Sequence, residues 1–147
     1  MIKEIDKNLW DFDGKLYYRV ITTNGNLKRD GSAVMGKGIA LQARQIYPLL
    51  PSALADHLKM FGNVVGIFPY YNIITFPTKN NWWEKSTYEL IEKSCFQLYD
   101  VCLENKVDKI VMPKVGCQNG GLEWSKVRRI LYENLDRTNL DVIISRI

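Results

Sequence analysis

The chain has 147 residues, 46% of them apolar and 24% charged, with a formal net charge of +4. That is the profile of one ordinary globular domain, spanning 1–147, with enough chain to bury a full core. No apolar run approaches the roughly 20 residues a membrane-spanning helix needs, and the Met1-Ile2-Lys3-Glu4-Ile5-Asp6 start alternates charge too closely for a secretory signal, so a cytoplasmic protein with no membrane role is expected. Cys95, Cys102 and Cys117 form no C-x-x-C pair and leave an odd count, and His57 is the sole histidine, which argues against a disulfide framework and against a metal site. The basic pairs Lys28-Arg29 and Arg128-Arg129 are too short and scattered to identify a nucleic-acid surface from charge alone.

In chain order, the apolar run Leu16 to Thr22 reads as a strand that ends in Thr22-Thr23-Asn24. The polar stretch Gly25 to Asp30 follows, either a surface excursion or a lid beside a site. Next comes Gly31-Ser32-Ala33-Val34-Met35-Gly36-Lys37-Gly38-Ile39-Ala40, a glycine loop running into a helix marked by Ile39, Leu41, Ala43 and Ile46. Free N–H groups at such a junction, with no Cβ at Gly36 or Gly38 to keep a ligand away, suit an anion. It is neither a P-loop nor a dinucleotide fingerprint, since no Ser/Thr follows the Gly-Lys pair and G-x-G-x-x-G is not completed.

Pro48 to Pro51 predicts a break between two helices, and Asn63 to Pro69 with Asn72 to Phe76 predicts two neighbouring strands. Lys79 follows the second of these, beside Trp82 and Trp83, of which at least one is expected in the core. Ser86-x-x-Glu89 has the form of a capping box opening a helix whose apolar face is Tyr88, Ile91, Cys95, Leu98 and Cys102. The run Ile110 to Trp124 repeats the strand, glycine turn and helix arrangement through Val115-Gly116-Cys117-Gln118-Asn119-Gly120-Gly121. Leu122, Val127, Ile130 and Leu131 predict a shorter helix, and Asp141 to Ile147 a final strand that is a candidate sheet edge. Strands interleaved with helices imply an α/β fold in three layers, with a largely parallel sheet covered on both faces.

Two glycine loops in one small domain suit the clamping of one ligand. Taken in order, Thr22-Thr23-Asn24, Val34-Met35-Gly36-Lys37-Gly38-Ile39-Ala40 and Val115 to Gly121 resemble the strand end and the two loops of the macro domains, which bind ADP-ribose. Phe76-Pro77-Thr78-Lys79 with Trp82, then Lys85-Ser86-Thr87-Tyr88-Glu89, resemble the branch that holds the terminal ADP-ribose protein glycohydrolase and the antitoxin macro domains acting on DNA. The resemblance implies a three-layer α/β/α domain with a mixed sheet. It implies ligand contacts from Asn8, from Val34, Met35, Gly36, Lys37, Gly38 and Ile39, and from Val115, Gly116, Cys117, Gln118, Asn119, Gly120 and Gly121. It also implies that Lys79 is catalytic, with Asn24 beside it at the distal ribose, and that no cofactor or metal is needed. An amine can attack the opened sugar once its pKa is lowered by desolvation or a nearby cation. A bulky residue at Gly120 is expected to fill the diphosphate space.

Departures narrow what the resemblance carries. The stretch Cys117 to Gly121 lacks the aspartate of the protein-directed glycohydrolase and looks more like the DNA-directed form, and Asn8 stands where many macro domains have an adenine-reading aspartate. Three functions stay open: hydrolysis of ADP-ribose from DNA or protein, a phosphatase acting on ADP-ribose 1″-phosphate, and a non-catalytic ADP-ribose reader or sponge. The partner is ADP-ribose or an ADP-ribosylated substrate, modified nucleic acid included.

Overall fold

The computed structural model describes residues Met1–Ile147. Its strands are β1 (Ile2–Ile5), β2 (Tyr18–Thr23), β3 (Gly66–Phe68), β4 (Ile73–Pro77), β5 (Lys109–Met112) and β6 (Asp141–Ser145). Its helices are α1 (Gly38–Ile46), α2 (Leu50–Phe61), α3 (Tyr88–Glu104) and α4 (Trp124–Leu135), with a short 3-10 turn at Leu9–Asp11. The strands form one sheet in the order β1-β6-β5-β2-β4-β3. All neighbours are parallel except β3, which returns antiparallel against β4. The α/β reading with a mixed, largely parallel sheet therefore holds.

Alternation along the strands divides the core between two faces, as the period of two requires. Val20, Ile74, Ile110, Met112, Val142 and Ile144 face α3 and α4. Ile21 and Ile73 face α1 and α2, while Val111 and Ile143 on that same side are covered by Leu9 and Phe12. β4 is buried at every residue and β6 at all but its first, the near-continuous burial of strands packed on both sides. Cys95 and Cys102 lie in the α3 face of the core, where burial pushes both thiols up to about 12.

The structure corrects the sequence reading at four places. β6 lies between β1 and β5, so the C-terminal strand is not an edge; the edges are β1 and β3. β1 itself is the alternating Ile2-Lys3-Glu4-Ile5, with Ile2 buried and Lys3 exposed, too short a pattern to stand out among charged neighbours. α1 packs through Ala40 and Ala43, with Ile46 left exposed, because two small residues let the helix axis come close to the sheet. The cap of α3 is Thr87, whose Oγ accepts from Leu90 N at 3.2 Å, one residue later than the capping box implies. Ser86 is instead buried with its Oγ unpartnered, and its backbone N–H donates to Gly120 O at 3.0 Å.

The cap assignment has a direct test. Thr87→Ala should cost about 1 kcal/mol of stability through loss of the N-cap bond. Ser86→Ala should be neutral or slightly stabilising, because it removes a buried hydroxyl that bonds to nothing. Urea unfolding of both variants checks the pair, and a larger loss at Ser86 than at Thr87 overturns the assignment.

Candidate functional site

β2 and β5 are neighbours that pair at only two positions, Tyr18 with Ile110 and Arg19 with Val111. Beyond them the strands part, and the chain leaves β2 for α1 on one face and β5 for α4 on the other. This is a topological switch point, where an open α/β sheet presents a crevice at the carboxyl ends of its strands. A cleft of about 780 Å³ occupies it, within the range of small-molecule sites. It runs past the ends of β6 (Ser145, Arg146), β5 (Pro113, Lys114), β2 (Asn24) and β4 (Thr78, Lys79). That is three inter-strand steps, roughly 14 Å.

Most of the residues singled out in the sequence meet in this cleft. Asn8, Asn24, Val34, Gly36, Lys37, Gly38 and Ile39 line it from one side, Gly116, Cys117, Gln118, Asn119 and Gly120 from the other, and Lys79 closes one end. Met35 and Val115 are fully buried, each packed in the core beneath its loop, and Gly121 lies outside the lining. Met35 and Val115 are the apolar anchors that hold the loops down. Trp82, noted in the sequence beside Lys79, also lines the cleft, and the sequence reading missed Gln42, Lys114, Trp124 and Arg146 as lining residues.

The two loops approach each other over the cleft: a Cβ built at Gly38, whose φ is +57°, would stand 3.1 Å from Asn119 Nδ2. At Gly120 a Cβ would collide with the Gly116 carbonyl oxygen and the Ser86 hydroxyl. The glycine there is required by the packing of the second loop on itself and on Ser86, so a larger residue would deform the loop before it could fill the ligand space. Gly36 is the opposite case. It lines the cleft, and a Cβ there would meet no atom within 4 Å.

The electrostatics are one-sided. Lys37, Lys79, Lys114 and Arg146 line the cleft, and no Asp or Glu side chain does. Arg146 is engaged by Asp6 through two bonds of 2.9 and 3.0 Å, and Lys114 stands over the Trp124 ring at 5.8 Å. Such a surface attracts an anion. No three His, Cys, Asp or Glu side chains converge to hold a metal ion. Burial raises the Cys117 thiol above its usual range, which keeps it protonated and a poor nucleophile.

Lys79 is the one lysine of the cleft whose amine is shifted from its ordinary range. Its Nζ donates to Asn119 O at 3.1 Å and to Trp82 O at 3.4 Å, both uncharged acceptors. Partial burial, and then the positive charge of Lys37, lower its pKa from the ordinary lysine value. Asn24 is held by its own amide: Oδ1 accepts from Asn26 N at 3.0 Å and Nδ2 donates to Val34 O at 3.2 Å. Neither tryptophan of the adjacent pair is in the core. Trp82 is 51% and Trp83 64% exposed, their rings perpendicular at 5.7 Å, so the expectation that one is a core residue is corrected. The segment that carries them is fastened by main-chain bonds, which leave the indoles outside.

Lys37→Ala removes a cation that disfavours the ammonium form of Lys79, so the Lys79 amine should titrate at higher pH in that variant. Titration of lysine labelled with carbon-13 at Cε, followed by NMR, reads this directly; an unmoved or lowered midpoint would show that the two amines do not sense each other.

A family model described as Macro domain matches residues 64–131. A DNA ADP-ribosyl glycohydrolase of Thermus aquaticus is 33% identical over 112 residues, covering 70% of this chain and 31% of that protein. The ADP-ribose glycohydrolase OARD1 of Homo sapiens is 30% identical over 115 residues, covering 75% of this chain and 72% of that protein. Among solved structures, the macrodomain of Mycobacterium tuberculosis DarG superposes with a TM-score of 0.85 at 28% identity, covering 100% of this chain and 98% of that one. The chain spans about a third of the length of the DNA ADP-ribosyl glycohydrolases it matches. With the switch-point cleft between two glycine loops and these likenesses together, the chain belongs to the macro domain family.

Proposed function

We propose that the cleft binds ADP-ribose and that the protein hydrolyses ADP-ribose from a modified macromolecule, with Lys79 acting at the distal ribose. The observation that carries this reading is a depressed lysine amine, held by carbonyls and free of any carboxylate, at one end of a cationic cleft of dinucleotide length. In this reading the adenosine lies toward Asn8 and Arg146, and the diphosphate between the two glycine loops. The distal ribose then lies between Asn24 and Lys79. The names of the relatives support hydrolysis of an ADP-ribosyl bond.

The chemistry follows from the groups present. A neutral Lys79 amine offers its lone pair to C1″, and the bond from C1″ to the leaving group breaks with its electron pair going to the leaving group, which takes up a proton. Water then replaces Nζ at C1″, releasing ADP-ribose and restoring the amine. Burial and Lys37 raise the neutral fraction of the amine near neutral pH, which is what this step requires. With no Asp or Glu side chain in the cleft lining, acid and base work falls to water and to this amine.

The substrate we favour is ADP-ribosylated DNA. Trp82 and Trp83 stand exposed beside the lysine, at the end of the cleft where the attached group must leave. An exposed indole stacks an unpaired base with a worth of roughly 1–3 kcal/mol. Two of the relatives, from Thermus aquaticus and Mycobacterium tuberculosis, are named for action on DNA.

Incubation with ADP-ribosylated single-stranded DNA, ADP-ribosylated protein and ADP-ribose 1″-phosphate, with products read by mass, tests the reading. Lys79→Ala should lose most turnover while keeping most ADP-ribose affinity, since the amine acts on the bond being broken. Gly36→Val should weaken ADP-ribose binding with little change in stability, because the side chain projects into open cleft space without backbone strain. Unchanged turnover in the lysine variant would overturn the lysine mechanism, and unchanged calorimetric affinity in the glycine variant would move the ligand elsewhere. Trp82→Ala should slow the DNA reaction by about tenfold, the equivalent of one stacked base, and leave the protein reaction unchanged; equal rates on both substrates remove the case for DNA.

A further inference from the structure

We propose that Asn26 is the positioning residue of the lysine site, fastening the lysine-bearing segment to the β2–α1 loop and so setting where the Lys79 amine stands relative to Asn24. The proposal rests on the reading of Lys79 given above and adds to it a residue that neither the glycine loops nor the lysine motif contains.

All four polar groups of Asn26 are in use. Its backbone N–H donates to Asn24 Oδ1 at 3.0 Å, and its carbonyl accepts from Val34 N at 3.0 Å. Its Nδ2 donates to Asn81 Oδ1 at 3.0 Å, and its Oδ1 accepts from Trp82 N at 2.6 Å. The last bond fixes which way the amide faces, because a backbone N–H can only donate. The main chain of Asn26 thus shapes Asn24 and the first glycine loop, while its side chain holds the peptide that follows Asn81. That same peptide unit leads to Trp82 O, one of the two carbonyls that receive the Lys79 amine. Further bonds hold the segment to its surroundings: Thr78 N to Thr23 O and Gly25 N to Asn80 O, both at 3.0 Å, and Asn63 Nδ2 to Lys79 O at 2.9 Å and to Asn80 Oδ1 at 3.0 Å. These fix the chain near the lysine, and none reaches a group that touches its amine. Asn26 is the link between the amine's own acceptor and the loop that carries Asn24.

The polar stretch after β2 therefore acts as a strut. Its tip is closed by Lys28 N to Ser32 O at 2.7 Å and by the Asp30 carboxylate, which accepts from Ser32 N at 2.9 Å and Ser32 Oγ at 2.6 Å. A short bridge pairs Leu27 with Ala33. Asn26 sits at the root of this closed hairpin, where it faces the lysine segment.

Asn26→Ala and Asn26→Asp separate positioning from mere packing. The alanine variant loses both side-chain bonds, and kcat should fall roughly 10–100-fold with little change in the Kd for ADP-ribose, the effect of a misplaced reacting group. The aspartate variant keeps an acceptor for Trp82 N–H, and the Asn81 amide can turn over to donate to it, so much of kcat should return on the alkaline plateau of the profile, where the two variants are compared with the amine neutral. Its added carboxylate favours the ammonium form of Lys79, so the acid limb of the pH–kcat profile should move to higher pH. The other charged side chains on the surrounding segments are Lys28, Arg29, Asp30 and Lys37 on the first loop, Glu84 and Lys85 beside the lysine, and Lys114 on the second loop, and all are unchanged in both variants.

NMR titration of Lys79 supplies a readout independent of turnover. In Asn26→Ala the amine should move back toward the ordinary lysine range as the segment loosens and burial is relieved. Asn81→Ala, which keeps the Trp82 bond, should show a smaller effect of the same sign and serves if the Asn26 variants do not fold. An alanine variant with unchanged kcat and unchanged Lys79 titration overturns the proposal, as does an aspartate variant no better than alanine. If the parent protein hydrolyses none of the substrates, the functional reading fails while the Lys79 titration still decides the role of Asn26.

Discussion

The site depends on how little β2 and β5 share. Two paired positions at the start of β2 hold the strands together, and above them β2 continues against β4 as far as Thr23 with Pro77. The parallel sheet then splits at its carboxyl end between β2 and β5. Each strand sends its chain over a different face, so the gap is walled by two loops anchored in separate core clusters, Met35 below one and Val115 below the other. Loops fixed by buried apolar side chains keep their backbone N–H groups in place at little further cost in entropy, which is what a preformed anion site requires. Burial of the anchors and the placing of glycines along the cleft wall beside them are two parts of one arrangement.

Chemistry at one end of the cleft is limited by what the lining lacks. With no Asp or Glu side chain in the lining, a lysine there has no acidic side chain to stabilise its ammonium form. Carbonyls from Asn119 and Trp82 orient the amine, and Lys37 adds a like charge. Cys117, the one thiol in the cleft, is disfavoured as a nucleophile by burial. The same absence of acidic side chains that suits the cleft to an anion leaves burial and Lys37 to lower the amine's pKa unopposed.

Much of this was legible in the residues, and what was not has identifiable reasons. Period-two and helical patterns located β2, β4, α3 and α4, and the two glycine loops marked the cleft, because glycine and apolar spacing are local signals. β1 escaped notice since its four residues alternate among charges, and the place of β6 in the sheet was invisible because strand order is decided by non-local pairing. At least one of Trp82 and Trp83 reads as core by residue type; the bonds that hold their segment at the surface come from the side chain of Asn26, whose partners Asn81 and Trp82 lie 55 and 56 residues away. Gly120 was legible as a required glycine, but for the wrong neighbour: Ser86 and the Gly116 carbonyl crowd it from within the fold. Ser86 carried the misleading capping-box signal for the same reason, its place under the second loop outweighing its suitability as a cap.

At the opposite end of the cleft, Asn8 shows how the choice between asparagine and aspartate leaves a structure alone while altering what it presents. Its Oδ1 accepts from Trp10 N at 2.9 Å and caps the short 3-10 turn, and Trp10 Nε1 donates in turn to Gln42 Oε1 at 2.9 Å on α1. An aspartate would cap Trp10 N equally well, so the fold is indifferent to the choice. The second polar atom is where the two residues differ, since asparagine has an amide donor where aspartate has a further acceptor and a negative charge. Asp6, the nearest carboxylate in sequence, is taken up by Arg146. A ligand group facing Asn8 therefore meets no free negative charge, and the cleft keeps its cationic character from the lysine end to Arg146.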